Sequence, residues 1–114
     1  MSVENTIVTI LENLNVVPYP LVAPHDPVTP CVVYQRITRP PFRTHDGNAA
    51  DRGLWQFSCY AHERNEVLDL ADTVRAAFDL NQIDFELSTA ESEIETVDPD
   101  SGLYRKILDF QIWK

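Results

Sequence analysis

The sequence predicts an α+β fold, in which a four-stranded, mainly antiparallel sheet is packed by two helices in the chain order α-β-β-α-β-β. Two segments, residues 3–14 and 64–79, repeat apolar residues at helical spacing, and the segments around them alternate apolar and polar residues. The chain has 114 residues, the length of one ordinary domain. We therefore expect a single domain over residues 1–114.

The first helix is predicted over residues 3–14 because Val3, Ile7 and Leu11 share one helical face. A proline-rich segment follows it, with prolines at positions 18, 20, 24, 27 and 30. Each proline fixes φ and lacks an N–H group, so neither a helix nor a central strand is expected there. This segment is predicted to be an extended connector.

The first two strands are predicted over residues 31–38 and 54–61, with a loop over 39–53 between them. The first is rich in β-branched and aromatic residues. In the second, Trp55, Phe57, Cys59 and Ala61 alternate with more polar residues and are expected to share one face. The two strands are expected to be antiparallel.

The second helix, over 64–79, has the strongest pattern, with apolar residues at i, i+3, i+4 and i+7. Alternating residues begin again at Ile83 and continue through the glutamates around position 93 to a predicted turn at residues 98–102. The last strand is predicted over 103–113 and is long for a strand.

The charge balance excludes some classes of function. The chain has 18 acidic and 9 basic residues, a formal charge of −9, which argues against a protein that binds duplex DNA by neutralising phosphates. No apolar run approaches the length of a membrane span, and the N-terminus lacks the pattern of a secretory signal. We therefore expect synthesis in the cytoplasm and no membrane partner.

Candidate metal and catalytic residues are sparse. Cys31 and Cys59 lack ligand spacing and are interpreted as buried apolar residues. His25, His45 and His62 form no metal-binding motif and are interpreted as ordinary surface histidines. The sequence contains no glycine-rich phosphate loop and no nucleophile motif. It therefore predicts no catalytic residue, metal or cofactor, and a protein that is not an enzyme.

Charge is distributed unevenly along the chain. Residues 79–102 contain eight acidic residues and no lysine or arginine, whereas four arginines lie between positions 36 and 52. Glu91, Glu93 and Glu95 alternate along one predicted strand, which fits a solvated face or a functional acidic surface better than catalysis. Separate acidic and basic zones suit contacts between subunits, although local composition alone also produces them.

Several stretches in order carry a resemblance to a known family. The chain resembles the tail-completion, or tail-terminator, family of long-tailed bacteriophages and prophages. The similar stretches are residues 19–24 (YPLVAP), 30–37 (PCVVYQRI), 43–47 (RTHDG), 55–61 (WQFSCYA), 70–78 (LADTVRAAF) and 102–113 (GLYRKILDFQIW). Together they extend over nearly the full length, and none is a catalytic signature.

The resemblance implies a tail-terminator-like fold and a structural protein of the virion tail. Such a protein caps the tail tube at its head-proximal end as a ring of identical subunits, usually six, assembled in the host cytoplasm. The ring stops tube polymerisation and offers a surface to the head-tail connector proteins, while DNA passes through the lumen without specific binding. Glu91, Glu93 and Glu95 are then candidate lumen residues, because an acidic wall repels phosphate.

A second candidate site follows from the basic zone. Arg39, Arg43 and Arg52, with Asp46 in the same loop, are predicted to contact the major tail tube protein or the next subunit, because arginine is favoured at interfaces. The alternative is that this loop is only a connection between strands.

The sequence is compatible with three other functions. The first is a head-tail connector or neck subunit one layer above the terminator. A small acidic protein that imitates the charge of DNA would bind a basic partner and self-associate little. An enzyme would have to act without any recognisable motif.

Overall fold

The computed structural model describes residues 3–38, 52–85 and 87–113, with the side chains of Thr38 and Arg52 excepted. The elements are α1 (Val3–Asn13), β1 (Val17–Pro20), β2 (Cys31–Thr38), β3 (Arg52–Ala61), α2 (Arg64–Phe78), β4 (Leu87–Val97) and β5 (Tyr104–Trp113). The prediction of an α+β fold is confirmed.

The sheet differs from the prediction in the number and order of its strands. It has five strands in the order β1-β2-β3-β5-β4. β1 runs parallel to β2, and the other neighbouring pairs are antiparallel. The described order is therefore α-β-β-β-α-β-β rather than α-β-β-α-β-β, and the prediction of four strands was wrong.

The missed strand is β1, which lies inside the predicted proline-rich connector. The N–H of Val17 donates to the carbonyl of Pro30 (3.4 Å) and that of Leu21 donates to the carbonyl of Tyr34 (2.9 Å), so odd-numbered residues face β2. Pro18 and Pro20 therefore face away from β2. Proline is tolerated on an edge strand because its missing N–H has no ladder partner there.

Two element bounds also differ from the sequence pattern. β3 begins at Arg52, which pairs with Trp113, so the connection between β2 and β3 is shorter than the predicted loop over 39–53. β4 begins at Leu87. The alternation that starts at Ile83 is not a strand there, because Ile83 lies in the connection after α2.

Both helices contribute to one hydrophobic core on one face of the sheet. Trp55, Phe57, Cys59 and Ala61 are buried together, as their alternation predicts. Phe57 lies 4.8 Å from Phe78 of α2 between ring centroids. We call this the covered face. Aromatic side chains bury large areas, so this cluster dominates the packing energy.

A β-bulge in β4 changes which residues face the helices. Before it, Ala90 pairs with Phe110, a core residue of β5; after it, Glu93 pairs with Leu108, another core residue. The bulge lies between Ala90 and Ser92. One extra residue shifts the alternation by one position, so Glu93 lies on the covered face.

Candidate functional site

The other face of the sheet has no described helix packed against it, and we call it the open face. Side chains form a hydrogen-bonded row across four strands of this face. The Gln35 amide nitrogen donates to Gln56 (3.2 Å), the Gln56 amide nitrogen donates to Asp109 (3.4 Å) and the Ser92 hydroxyl donates to Asp109 (2.7 Å). The row satisfies polar groups within the sheet and restricts the conformations of these side chains.

Apolar side chains of β4 and β5 lie beside that row. Ile94 is 58% exposed. Ile94 pairs with Ile107 of β5, which in turn pairs with Ser58. A fixed surface that mixes exposed isoleucines with satisfied polar groups is typical of a face that contacts another protein.

A groove of about 810 Å³ lies at one end of the open face. Its floor is formed by β2, β3 and β5, and its two walls are residues 21–27 and the turn at residues 98–103. The lining residues are Leu21, Val22, Ala23, Pro24, His25, Asp26, Pro27, Val33, Gln35, Gln56, Ser58, Tyr60, His62, Asp98, Asp100, Ser101, Leu103 and Arg105. The volume lies in the ordinary range of small-molecule and peptide sites, about 300–1,000 Å³.

Local hydrogen bonds hold both walls of the groove. The N–H of Val28 donates to the hydroxyl of Tyr19 (3.1 Å), which closes the first wall against β1. In the second wall, the Ser101 hydroxyl donates to the Asp98 carboxylate (2.7 Å). That hydrogen bond is the main reason that the pKa of Asp98 lies below its usual range. The walls are therefore built features of the fold.

The floor of the groove contains Arg105 of β5, which pairs with Tyr60 of β3. Its guanidinium carbon lies 6.0 Å from the centre of the Tyr60 ring. The Nε atom of Arg105 is buried and has no hydrogen-bond partner among the described residues. A buried donor without a partner is costly. The charge of Arg105 also contributes to the lowered pKa of Asp98 in the second wall.

The glutamates of the predicted acidic row are not all unpaired, because two of them form ion pairs. Glu95 pairs with Arg64 of α2 (2.6 Å), and Glu93 pairs with Arg75 of α2 and with Lys106 of β5 (3.1 Å to Nζ). The hydrogen bonds from these arginines hold the pKa of Glu93 and of Glu95 below the usual range. Both carboxylates therefore tie the edge strand to the helix.

Glu91, the third residue of the predicted row, lies within the bulge and is exposed. It accepts a hydrogen bond from the hydroxyl of Thr89 (3.3 Å). The three glutamates therefore do not share one environment. The role of these residues in lining a lumen stays a prediction.

The predicted basic site falls largely outside the described residues. Arg39, Arg43 and Asp46 lie in the segment between residues 38 and 52, of which the structure describes nothing. Arg52 is the first residue of β3, opposite Trp113, and its side chain is also outside the description. The predicted contact with a tube or a neighbouring subunit stays a prediction.

The two edges of the sheet differ in their ability to pair with another strand. The N–H of Asp98 donates to the carbonyl of Leu103 (2.9 Å), so by alternation the backbone groups of Glu93, Glu95 and Val97 point away from β5. On β1 the outward positions are Pro18 and Pro20. The β4 edge therefore has outward N–H groups, whereas the outward positions of β1 have none.

The described residues contain no group of three or more His, Cys, Asp or Glu that could hold a metal ion. Burial raises the pKa of the Cys31 thiol to about 11 and that of Cys59 to about 12. His25 and His62 line the groove, and His45 lies outside the description. Within the described part of the chain, no helix is long and apolar enough to cross a membrane.

A family model described as tail completion protein gp17 matches residues 14–114. That match includes β1, the whole open face, α2 and both walls of the groove. No curated protein matches the chain.

Proposed function

Because the chain belongs to the tail completion protein gp17 family of phages, we propose that it caps the tail tube as a ring of identical subunits. Members of this family are structural components of the phage tail. In the proposal six copies close at the head-proximal end of the tube, in the host cytoplasm. The ring stops tube polymerisation and presents a surface to the head-tail connector proteins.

The open face is the observation that carries this proposal. Four strands present a hydrogen-bonded polar row beside the exposed Ile94, and no described helix covers it. A sheet held by hydrogen bonds keeps such a surface close to one shape, which reduces the ordering cost on binding. A subunit that must fit the flat end of a tube and a neighbouring copy at the same time needs this kind of surface.

The acidic composition supports the passage of DNA through such a ring. The chain carries a formal charge of −9, and tight binding to duplex DNA requires lysine and arginine at the phosphates. We keep Glu91, Glu93 and Glu95 as the proposed lumen residues. Glu91, which has no ion pair with the arginines of α2, is then the residue that contributes most of the repulsion.

A head-tail connector one layer above the tube is the second candidate, since it would use the same open face on a different partner. The two functions predict different defects in phage that lack the protein. Loss of a terminator leaves tubes that grow beyond their normal length. Loss of a connector leaves tubes of normal length that do not join heads.

Electron microscopy of tails made with and without the protein tests the proposal. We expect overlong tubes without heads when the gene is deleted, and normal virions when it is supplied in trans. Tubes of normal length that remain headless would indicate that the protein is a connector and not a terminator. Normal, infectious virions from the deletion would contradict both functions.

A further inference from the structure

The groove at one end of the open face is lined by more acidic residues than basic ones. Asp26 lies in its first wall and Asp98 and Asp100 lie in its second wall, whereas Arg105 lies on its floor. The charge of Arg105 already acts on Asp98 and contributes to its lowered pKa. Negative charge therefore remains on both walls, and it favours a ligand that carries positive charge.

Two of the three aspartates are free to pair with such a ligand. The carboxylate of Asp98 is engaged within its own turn, where it accepts a hydrogen bond from the Ser101 hydroxyl (2.7 Å). Asp26 and Asp100 are exposed, and neither forms an ion pair with a described residue. Each wall of the groove therefore offers one unpaired carboxylate.

The groove also contains apolar and aromatic surface. Leu21 and Val22 lie in its first wall and are 67% and 76% exposed. Tyr60 lies on its floor, and its ring centre is 6.0 Å from the guanidinium carbon of Arg105. Arginine packs its stem on apolar surface and stacks its guanidinium on aromatic rings. The groove therefore suits a segment that combines arginine with apolar residues.

The chain itself contains a segment of that composition. Residues 39–43 have the sequence RPPFR, in which two arginines flank two prolines and a phenylalanine. This segment lies outside the described residues. The arginines of α2 and the lysine of β5 already pair with glutamates, whereas four of the nine basic residues are concentrated between positions 36 and 52. A second copy of the chain can therefore supply a basic segment to the groove.

The segment begins at the opposite end of the open face from the groove. It follows Thr38 at the end of β2, whereas Cys31 at the start of β2 pairs with Tyr60 of the groove floor. β2 has eight residues, so its two ends lie about 23 Å apart. Arg39 is bonded directly to Thr38 and is therefore too far from the second wall to reach it within one chain. A second copy is not limited in this way.

Contact between two different surfaces of identical chains is heterologous, and it closes into a ring when the rotation closes. The sheet edges do not offer such a contact, because the outward positions of β1 are Pro18 and Pro20 and lack N–H groups. Pairing of β4 with β4 of another copy would be two-fold rather than head-to-tail. The groove at one end of the open face and Thr38, where the segment begins, at the other end have the head-to-tail arrangement that a ring requires.

We propose that residues 39–43 of one subunit bind in the groove of the next subunit, and that this contact closes the ring. The proposal rests on the proposed ring function and names its interface. The two arginines of the segment pair with Asp26 and Asp100 on opposite walls. Phe42 packs against the apolar side chains of the first wall.

An exchange of charge between the groove and the segment tests the interface. The groove variant carries Asp26→Lys and Asp100→Lys, and it keeps Asp98 because that carboxylate holds the turn. The segment variant carries Arg39→Glu and Arg43→Glu. Each variant is supplied in trans to phage that lack the gene, and tails with a terminal ring are counted by electron microscopy. Each variant alone should reduce that count by about tenfold or more, because like charges then face each other.

A mixture of the two variants distinguishes a lost contact from a folding defect. In an alternating ring each groove variant lies between two segment variants, so every contact again joins opposite charges. Equal amounts of the two variants should therefore restore the ringed tails. A single chain that carries all four substitutions should restore them as well. A chain that fails to fold would not be restored in either way.

A control variant separates the groove from the net charge of the protein. Glu12→Lys with Asp69→Lys makes the same change in charge as the groove variant, on exposed residues of the two helices. This control should form ringed tails as the parent does. An equal loss in the control would overturn the assignment of the contact to the groove.

The other outcomes separate the interface from the function. Rescue by the chain with four substitutions but not by the mixture would place the contact within one chain and overturn the proposal. A loss that neither repairs would overturn contact between copies and assign the groove to the tube protein. Normal rings from the groove variant would overturn the interface and leave the proposed function intact. Parent tails on which microscopy shows no ring would contradict the proposed function itself.

Discussion

The two faces of the sheet differ in their surroundings, although residues of the covered face and of the open face alternate along the same strands. On the covered face, Phe57 packs against Phe78 and Phe110 in the core. On the open face, the neighbouring residue Gln56 belongs to the hydrogen-bonded row, and Ser58 lines the groove. One position along a strand therefore decides whether a substitution acts on folding or on assembly.

The largest effect is expected at the centre of the covered face. Phe57→Ala removes a fully buried ring and should lower the free energy of unfolding by about 3–5 kcal/mol. Chemical denaturation measures this. Ser58→Ala, the next residue and on the open face, is the matched control and should change the free energy of unfolding by less than about 0.5 kcal/mol. Equal effects at the two positions would remove the distinction between the faces.

A smaller effect is expected where a wall of the groove depends on backbone conformation. Gly102 has a φ of 74°, and open space surrounds the position of an added Cβ. Gly102→Ala should therefore cost about 1–2 kcal/mol through the left-handed backbone alone. Gly102→Asn should recover part of that loss, since asparagine tolerates this region. A Gly102→Ala variant as stable as the parent in denaturation would contradict the turn geometry.

The ion pairs that tie β4 to α2 predict a dependence on pH. The pKa of Glu93 is lowered in the folded state by Arg75 and Lys106. Its contribution is therefore present above the unfolded pKa of about 4.5 and is lost as the pH falls through the folded value. Acid titration of Glu93→Gln should show a stability deficit at pH 7 that disappears at low pH.

The pH experiment has a matched control on the same strand. Glu91→Gln makes the same acid-to-amide change at the bulge, away from the arginines of α2. This variant should follow the parent at both pH values, and added salt should reduce the deficit of the Glu93 variant. A deficit in Glu93→Gln that persists below pH 3 would contradict the ion-pair origin.

The smallest effect on stability, with a large effect on assembly, is expected at Ile94. This residue is 58% exposed on the open face, so Ile94→Lys should change the unfolding midpoint by no more than a typical surface substitution. The same variant should reduce the fraction of capped tails in a complementation assay scored by electron microscopy. Full capping by Ile94→Lys would exclude this part of the open face from the contact.

The basic site predicted from the sequence can be tested in the same assay. Replacement of Arg39, Arg43 and Arg52 by glutamate should leave the thermal unfolding midpoint near that of the parent and block attachment to tubes. Lysine at the same three positions retains charge and should restore part of the attachment. Normal attachment of the glutamate variant would contradict the predicted site.

The sequence was sufficient for the elements that depend on local periodicity. Both helices, β2, β3, β5 and the turn at Gly102 follow from apolar spacing and turn residues, and the covered face follows from the alternation around Phe57. β1 was missed because the sequence does not reveal that Pro18 and Pro20 both face outward. The ion pairs of Glu93 with Arg75 and Lys106 could not be predicted, because the bulge at residue 91 moves Glu93 to the covered face. No pattern in the sequence predicts a bulge at that position.

The candidate surfaces depend on contacts between distant parts of the chain. The groove joins residues 21–27 to the turn at 98–103, which lie far apart in sequence and meet only over β2, β3 and β5. Residues 80–85 do not belong to a strand, although Ile83 and Phe85 have the alternating spacing of one. The four hydrogen bonds of Asn81 form a turn there instead.

Electron cryomicroscopy of isolated tails, with the copies of this protein counted at each end, shows whether the protein forms a terminal ring. We predict one closed ring of six copies at the head-proximal end, with the open face of each copy in contact with protein. Copies distributed along the tube, or a single copy at its end, would contradict it.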